Sequence, residues 1–165
     1  GQGVMLLTPL SVARYISTIA NRGTVYKASL LDSVYNSDGT LYKTIEPEID
    51  HVVEAPAEYW DLLYEGMEDV VSAEEGGTAA ASFSREFRDT YLKRLVGKTG
   101  TAQTATTSAV NVDIENTAWF VAAFPKEDPQ IAVVVYIPNG LSGSSNALAV
   151  ERIATWWFEN RYTGA

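Results

Sequence analysis

Residues 96–105 read Val96-Gly97-Lys98-Thr99-Gly100-Thr101-Ala102-Gln103-Thr104-Ala105, and the reading of the whole chain turns on them. The run places one ammonium and two hydroxyls around a glycine. Valine and threonine suit a pleated, half-buried surface, so a strand is predicted over 95–103. A glycine within a strand lets a ligand's backbone come close, because no Cβ stands in the way. Lys98 can then hold an anionic or tetrahedral species by charge. The Thr101 amide can act as an oxyanion donor, with the Thr99 and Thr101 hydroxyls alongside. Alternation puts Thr99, Thr101 and Gln103 on one face, where two hydroxyls can grip one carboxylate.

Downstream of this strand the pattern stays clear. Residues 104–115 are rich in Thr and Ser with no apolar period, and read as a loop. Thr117 to Phe124 is a second strand, and Pro125 to Pro129 a turn. Ile131 to Ile137 is a third strand, nearly unbroken in its apolar character, as expected of a strand buried on both faces. Short connections favour antiparallel pairing. Asn139 to Ser145 is a loop, with Ser144-Ser145-Asn146 a helix cap. A closing helix over 146–160 offers Leu148, Ile153, Trp156 and Trp157 for packing. The fold class is therefore α+β, an antiparallel sheet covered by helices.

Upstream, a helix is predicted over 10–21, with Thr8 as N-cap, Pro9 in the first turn and Gly23 as stop. Two short strands over 29–35 and 41–45 flank Asn36-Ser37-Asp38-Gly39, a hairpin signal. Pro47 and Pro56 bracket an extended connection holding His51, the one histidine. A second helix over 57–71 carries Leu62, Leu63, Met67, Val70 and Val71 on one side. The polar stretch from 74 to 94 carries no clear period.

Composition excludes several classes. The 165 residues fit one domain or a large part of one, and 46% hydrophobic content is ample for a core. A formal charge of −9 argues against nucleic-acid partners, which need clustered Lys and Arg. With no cysteine there is no disulfide or thiolate chemistry, and with one histidine no dedicated transition-metal site is expected. His51 lies near no Ser or Cys motif and reads as a surface residue rather than a base. Glu74-Glu75, Asp113 and Glu115 read as solvated loops, and Trp119 and Phe120 as core and groove wall. The chain holds no run of 18 apolar residues.

Four blocks, in order, carry a family resemblance. Gly1-Gln2-Gly3 with Leu7-Thr8-Pro9-Leu10 and Thr18-Ile19-Ala20-Asn21-Arg22-Gly23 is the first. Glu65-Gly66-Met67, Val70-Val71 and Gly76-Gly77-Thr78-Ala79 form the second. Gly97 to Gln103 is the third, and Ala118-Trp119-Phe120-Val121-Ala122 with Pro125 and Pro129 the fourth. Together they resemble the C-terminal half of the transpeptidase domain of a class B penicillin-binding protein. Lys-Thr-Gly is among the signatures of penicillin-binding proteins and serine β-lactamases, beside Ser-x-x-Lys and a Ser-x-Asn type motif.

The resemblance implies a penicillin-binding-protein/serine β-lactamase-like fold, of which residues 1–165 are the C-terminal portion. It implies a peptidoglycan D,D-transpeptidase on the outer face of the bacterial cytoplasmic membrane, anchored by an upstream segment. The reaction implied is serine acyl transfer from D-Ala-D-Ala stem peptides, with β-lactams as inhibitors, without a cofactor. Lys98 and Thr101 take the catalytic places; Thr99, Gly100, Thr101 and Gln103 those that bind substrate. The partners implied are the upstream part of the same protein and the cell-wall assembly machinery. The chain departs from the pattern in having no Ser-x-x-Lys: Lys27, Lys43 and Lys93 follow Thr24, Thr40 and Thr90. The nucleophile is expected upstream, and the chain alone is expected to be inactive. Two other readings stay open: an inactive penicillin-binding-like sensor or assembly module, and a serine β-lactamase. The family sheet also takes strands from upstream, so Ile131 to Ile137 is expected as an exposed edge.

Overall fold

The computed structural model describes residues 5–102, 116–140 and 142–162. Its elements in chain order are α1 (Pro9–Ala20), β1 (Thr24–Tyr26), β2 (Ser33–Tyr35), β3 (Leu41–Thr44), β4 (Ile49–Val52), α2 (Ala57–Val71), α3 (Arg85–Thr90), β5 (Val96–Ala102), β6 (Thr117–Phe124), β7 (Ile131–Ile137) and α4 (Ala147–Asn160). Short 3-10 turns cover Ala80–Ser82, Leu92–Arg94 and Gly143–Asn146. The sheet that carries Lys-Thr-Gly is antiparallel in the order β5-β6-β7. Within it β7 is an edge, as expected, and β5 is the other. Tyr136 and Ile137 near the end of β7 are exposed.

Alternation divides the side chains of this sheet between two helical layers. Val96, Val121 and Ala123 face Ile16 and Ile19 of α1 and Met67 of α2. Phe120, Ala122, Phe124 and Val133 face Val150, Ala154, Trp157 and Phe158 of α4. The second layer is the larger and is rich in aromatic rings. Phe124, wholly buried, meets Trp157 at 5.5 Å and Phe158 at 5.6 Å between ring centres. Truncating a buried Phe to Ala loses transfer energy and leaves a cavity, at about 3–5 kcal/mol. Phe124→Ala is expected to lower stability by that amount, measured by urea denaturation of the chain.

Helix α1 starts as its sequence dictates. Thr8 Oγ1 accepts the Ser11 N–H at 3.1 Å, and Pro9 fills the first helical position. The hairpin also forms, with Ser33 opposite Thr44 and Asp38 Oδ1 accepting the Thr40 N–H at 2.9 Å. Its first strand is shorter than predicted, Ser33–Tyr35 rather than 29–35. Leu30 and Leu31 are exposed and pair with nothing that would extend it.

Four expectations need correction. The connection holding His51 is not merely extended: Ile49–Val52 is a strand, pairing with β1 so that Val25 lies opposite His51. Its partner lies far away in sequence, so no local signal marks it. The stretch without a period, 74–94, contains α3 and two 3-10 turns, and contributes Phe83, Phe87 and Leu92 to the core. Ser84 caps α3 by accepting the Phe87 N–H at 3.2 Å. Finally, of the closing-helix residues named for packing, only Trp157 is buried; Leu148, Ile153 and Trp156 are exposed. Likewise Leu62 and Leu63 of α2 are exposed while Met67 and Val71 are buried.

Candidate active site

Strand β5 brings Lys98, Thr99, Gly100 and Thr101 to one edge of the sheet, but not to one face. Lys98 lies opposite Val121 and Gly100 opposite Trp119, on the side of α1 and α2. Thr99 lies opposite Phe120 and Thr101 opposite Ala118, on the side of α4. The two hydroxyls therefore share a face, as alternation requires, and the ammonium projects from the other. Gln103 and the loop over 104–115 lie outside the described residues.

The Lys98 side of the strand forms the wall of a cleft of about 640 Å³. Its other walls are apolar: Ile16 and Ile19 of α1, Leu62, Leu63 and Met67 of α2, and Trp119 and Val121 of β6. Lys98 itself is exposed, and its Nζ donates to the Thr99 carbonyl at 2.8 Å. A single ammonium at the rim of an apolar trench keeps more of its field than it would in open water, because the effective dielectric is lower there. Tyr64 packs against the apolar cluster beneath this cleft. Burial pushes its phenol up to about 12, so it is neutral at ordinary pH and adds no charge.

Each hydroxyl on the opposite face has a neighbour that sequence reading did not assign to the site. Thr99 Oγ1 shares a hydrogen bond with Thr78 Oγ1 at 3.2 Å. Thr101 Oγ1 accepts the Gly143 N–H at 3.0 Å. Thr78 reaches β5 because Gly77 lets the preceding turn fold back on the end of α2. A Cβ on Gly77 would stand 2.2 Å from the Asp69 carbonyl oxygen and 2.4 Å from that of Val70. The turn is then tied down by Gly77 N–H to the Ser72 carbonyl at 2.8 Å and Ala79 N–H to the Val70 carbonyl at 3.0 Å. The paired glycines Gly76-Gly77 were the available signal, though they announce a tight approach and not its target.

Gly100 was expected to admit a ligand's backbone. In the structure a Cβ there would sit 3.3 Å from Trp119 Cβ, and on the other side the chain's own Gly143 lies against the Gly100 peptide. The cap assigned to Ser144-Ser145-Asn146 differs from the expectation. The Asn146 side chain does not cap α4; its amide donates to the carbonyls of Ala118 at 3.0 Å and Val135 at 3.3 Å. His51 is exposed, with Nδ1 3.4 Å from the Asp50 carboxylate, and stands apart from the cleft lining. Among the described residues no group of His, Cys, Asp and Glu is placed to hold a metal ion. No described helix is long and apolar enough to cross a membrane.

This geometry sits within a chain that resembles known proteins over nearly its whole length. It is 28% identical to the peptidoglycan D,D-transpeptidase MrdA of Haemophilus influenzae, over 98% of the chain and 25% of that protein. It is 31% identical to the peptidoglycan D,D-transpeptidase PbpA of Mycolicibacterium smegmatis, over 90% of the chain and 28% of that protein. The chain thus spans about a quarter of the length of these relatives. The structure superposes on penicillin-binding protein 2B of Streptococcus pneumoniae with a TM-score of 0.73 at 25% identity, covering 96% of the chain and 26% of that one. The fold is therefore that of the penicillin-binding-protein transpeptidases, as the resemblance implied. The model of the penicillin binding protein transpeptidase domain matches residues 1–155, and the chain belongs to that family.

Proposed function

We propose that the chain forms one wall of the active site of a peptidoglycan D,D-transpeptidase, whose nucleophilic serine lies on another segment of the protein. On this reading residues 1–165 are the C-terminal portion of the transpeptidase domain, and the nucleophile, its lysine and the membrane anchor precede them. The observation that carries the reading is the edge position of β5, with an ammonium on one face and two hydroxyls on the other. Backbone groups of an edge strand that point away from its neighbour have no ladder partner, so an extended peptide can lie along them. A D-Ala-D-Ala stem peptide in that position spans both faces at once. Its terminal carboxylate meets the Thr99 and Thr101 hydroxyls, while its scissile carbonyl lies toward the Thr101 amide and the Lys98 side.

The chemistry follows from those placements. The serine oxygen attacks the carbonyl carbon between the two D-alanines and loses its proton. The oxygen that gains negative charge takes a hydrogen bond from the Thr101 amide, and the Lys98 ammonium lowers the cost of the added charge. The carbon–nitrogen bond breaks, the terminal D-alanine leaves with a proton on its amine, and an ester to serine remains. An amine of a neighbouring stem peptide then attacks the ester, forms the cross-link and returns the serine. A β-lactam enters by the same first step. Penicillin-binding protein A of M. tuberculosis, solved as a ceftriaxone acyl-enzyme complex, superposes with a TM-score of 0.69 at 25% identity, which supports the reading.

Thr101 supplies the test. Hydrogen bonds to charged groups contribute about 1.5–3 kcal/mol, or roughly 10- to 100-fold in rate. In the full-length protein, Thr101→Val is expected to slow acylation by penicillin within that range, and Thr101→Ser to keep most of the rate. Stopped-flow acylation measures both. Equal rates in the wild type and Thr101→Val would exclude the hydroxyl from carboxylate recognition.

A further inference from the structure

The turn Gly143–Asn146, between β7 and α4, packs against β5. Gly143 makes the closest approach: a Cβ there would stand 2.5 Å from the Gly100 oxygen, 2.6 Å from the Trp119 oxygen and 2.7 Å from the Gly100 nitrogen. These are backbone atoms of one paired rung between β5 and β6, so they cannot swing aside as a flexible side chain would. At this approach the Gly143 N–H reaches Thr101 Oγ1, at 3.0 Å. Three residues later Asn146, 1% exposed, binds the carbonyls of Ala118 on β6 and Val135 on β7 through its amide. The turn Gly143–Asn146 is thus fixed to all three strands of the sheet.

A threonine hydroxyl has one proton to give and two lone pairs. When the Gly143 N–H occupies a lone pair of Thr101, that donor also repels the hydroxyl proton, which turns away from it. The hydroxyl is then oriented to donate outward from the strand. Left to itself, the same hydroxyl could rotate and present a lone pair to an incoming anion, which would repel it. Thr99 differs, since its neighbour is the hydroxyl of Thr78, which can give or accept.

We infer that Gly143 is a positioning residue: its amide sets the Thr101 hydroxyl as a donor for a carboxylate, and Asn146 holds that amide in place. This rests on the reading of β5 as the carboxylate-binding strand given above. The side chain of residue 143 takes no part; what matters is that only glycine lets the amide come so near the rung.

The test is a double-mutant cycle in the full-length protein, read as the rate of acylation by penicillin. Gly143→Ala forces the turn off the Gly100–Trp119 rung and withdraws the amide from Thr101. Displacement of a positioned group by about 1 Å costs on the order of 10- to 100-fold. Gly143→Ala is expected to lose that factor in the wild-type background, and less than about 2-fold further when Thr101 is already Val. An equal loss in both backgrounds means that Gly143 acts without Thr101, and overturns the inference. Should Gly143→Ala not fold, exchange of the Gly143 amide hydrogen decides. It is expected to stay protected in Thr101→Ser and to exchange at least 10-fold faster in Thr101→Val; equal protection in all three proteins overturns the inference. A wild-type protein that penicillin does not acylate overturns the transpeptidase reading and this inference with it, whereas additivity in the cycle removes this inference alone.

Discussion

Incubated with penicillin, the 165-residue chain by itself is expected to keep its unmodified mass. Covalent capture needs a hydroxyl made nucleophilic by a neighbouring base, and in this family that pairing is Ser-x-x-Lys. The sequence contains none. Lys27, Lys43 and Lys93 each follow a threonine by three residues, but none of these threonines stands in the cleft beside Lys98. Thr24 is in β1, Thr40 gives its hydroxyl to Asp38 at 2.6 Å in the hairpin turn, and Thr90 ends α3. Lys98 and Lys126 follow Leu95 and Ala123, which have no hydroxyl to activate. Intact-mass spectrometry after long exposure reads the outcome directly. The full-length protein, treated identically, is expected to gain the mass of one penicillin. A stoichiometric adduct on the chain alone would place the nucleophile within it and end the divided-site reading.

Lys98→Ala in the full-length protein is expected to cut acylation by on the order of 10²–10³-fold, the usual cost of losing one preorganised electrostatic donor. The ammonium is exposed at the cleft rim, and among the described residues it donates to the neighbouring Thr99 carbonyl. Nothing in the core depends on it. The backbone pairing of residue 98 with Val121 needs no particular side chain, so the thermal midpoint should stay near that of the wild type. The combination discriminates: a slow enzyme with an unchanged midpoint marks a role in the chemistry, whereas a slow enzyme with a fallen midpoint marks damage to the sheet. Unchanged stopped-flow kinetics would remove Lys98 from the mechanism altogether.

Much of the frame was legible in the residues. Thr8-Pro9 set the start of α1, Asp38-Gly39 the hairpin, the valine and threonines around Lys98 the strand β5, and two apolar runs the strands β6 and β7. Each of these is a local signal, in which propensity, capping and period point the same way. The pairing of β1 with β4 left no such mark. Four residues that include Asp50 and His51 become a strand only because Thr24–Tyr26 lies beside them, and pairing energy outweighs weak propensity. Residues 74–94 were equally opaque. Their apolar side chains follow no single period, yet Phe83, Phe87 and Leu92 enter the core through a 3-10 turn and one short helix.

The site divides in the same way. Sequence alone determined which groups are present: one lysine, two threonines and two glycines on a single strand, and the absence of any Ser-x-x-Lys. Strand alternation then required the threonines to share a face. Tertiary structure decided that this strand is an edge, that an apolar cleft lies on the lysine side, and that Thr78 and Gly143 flank the two hydroxyls. Those placements rest on Gly77 and Gly143, where backbone meets backbone at distances no Cβ permits. A glycine in a sequence declares that something comes close. Only the folded chain shows what it is, because the approaching atoms belong to residues far along the chain whose positions are set by packing.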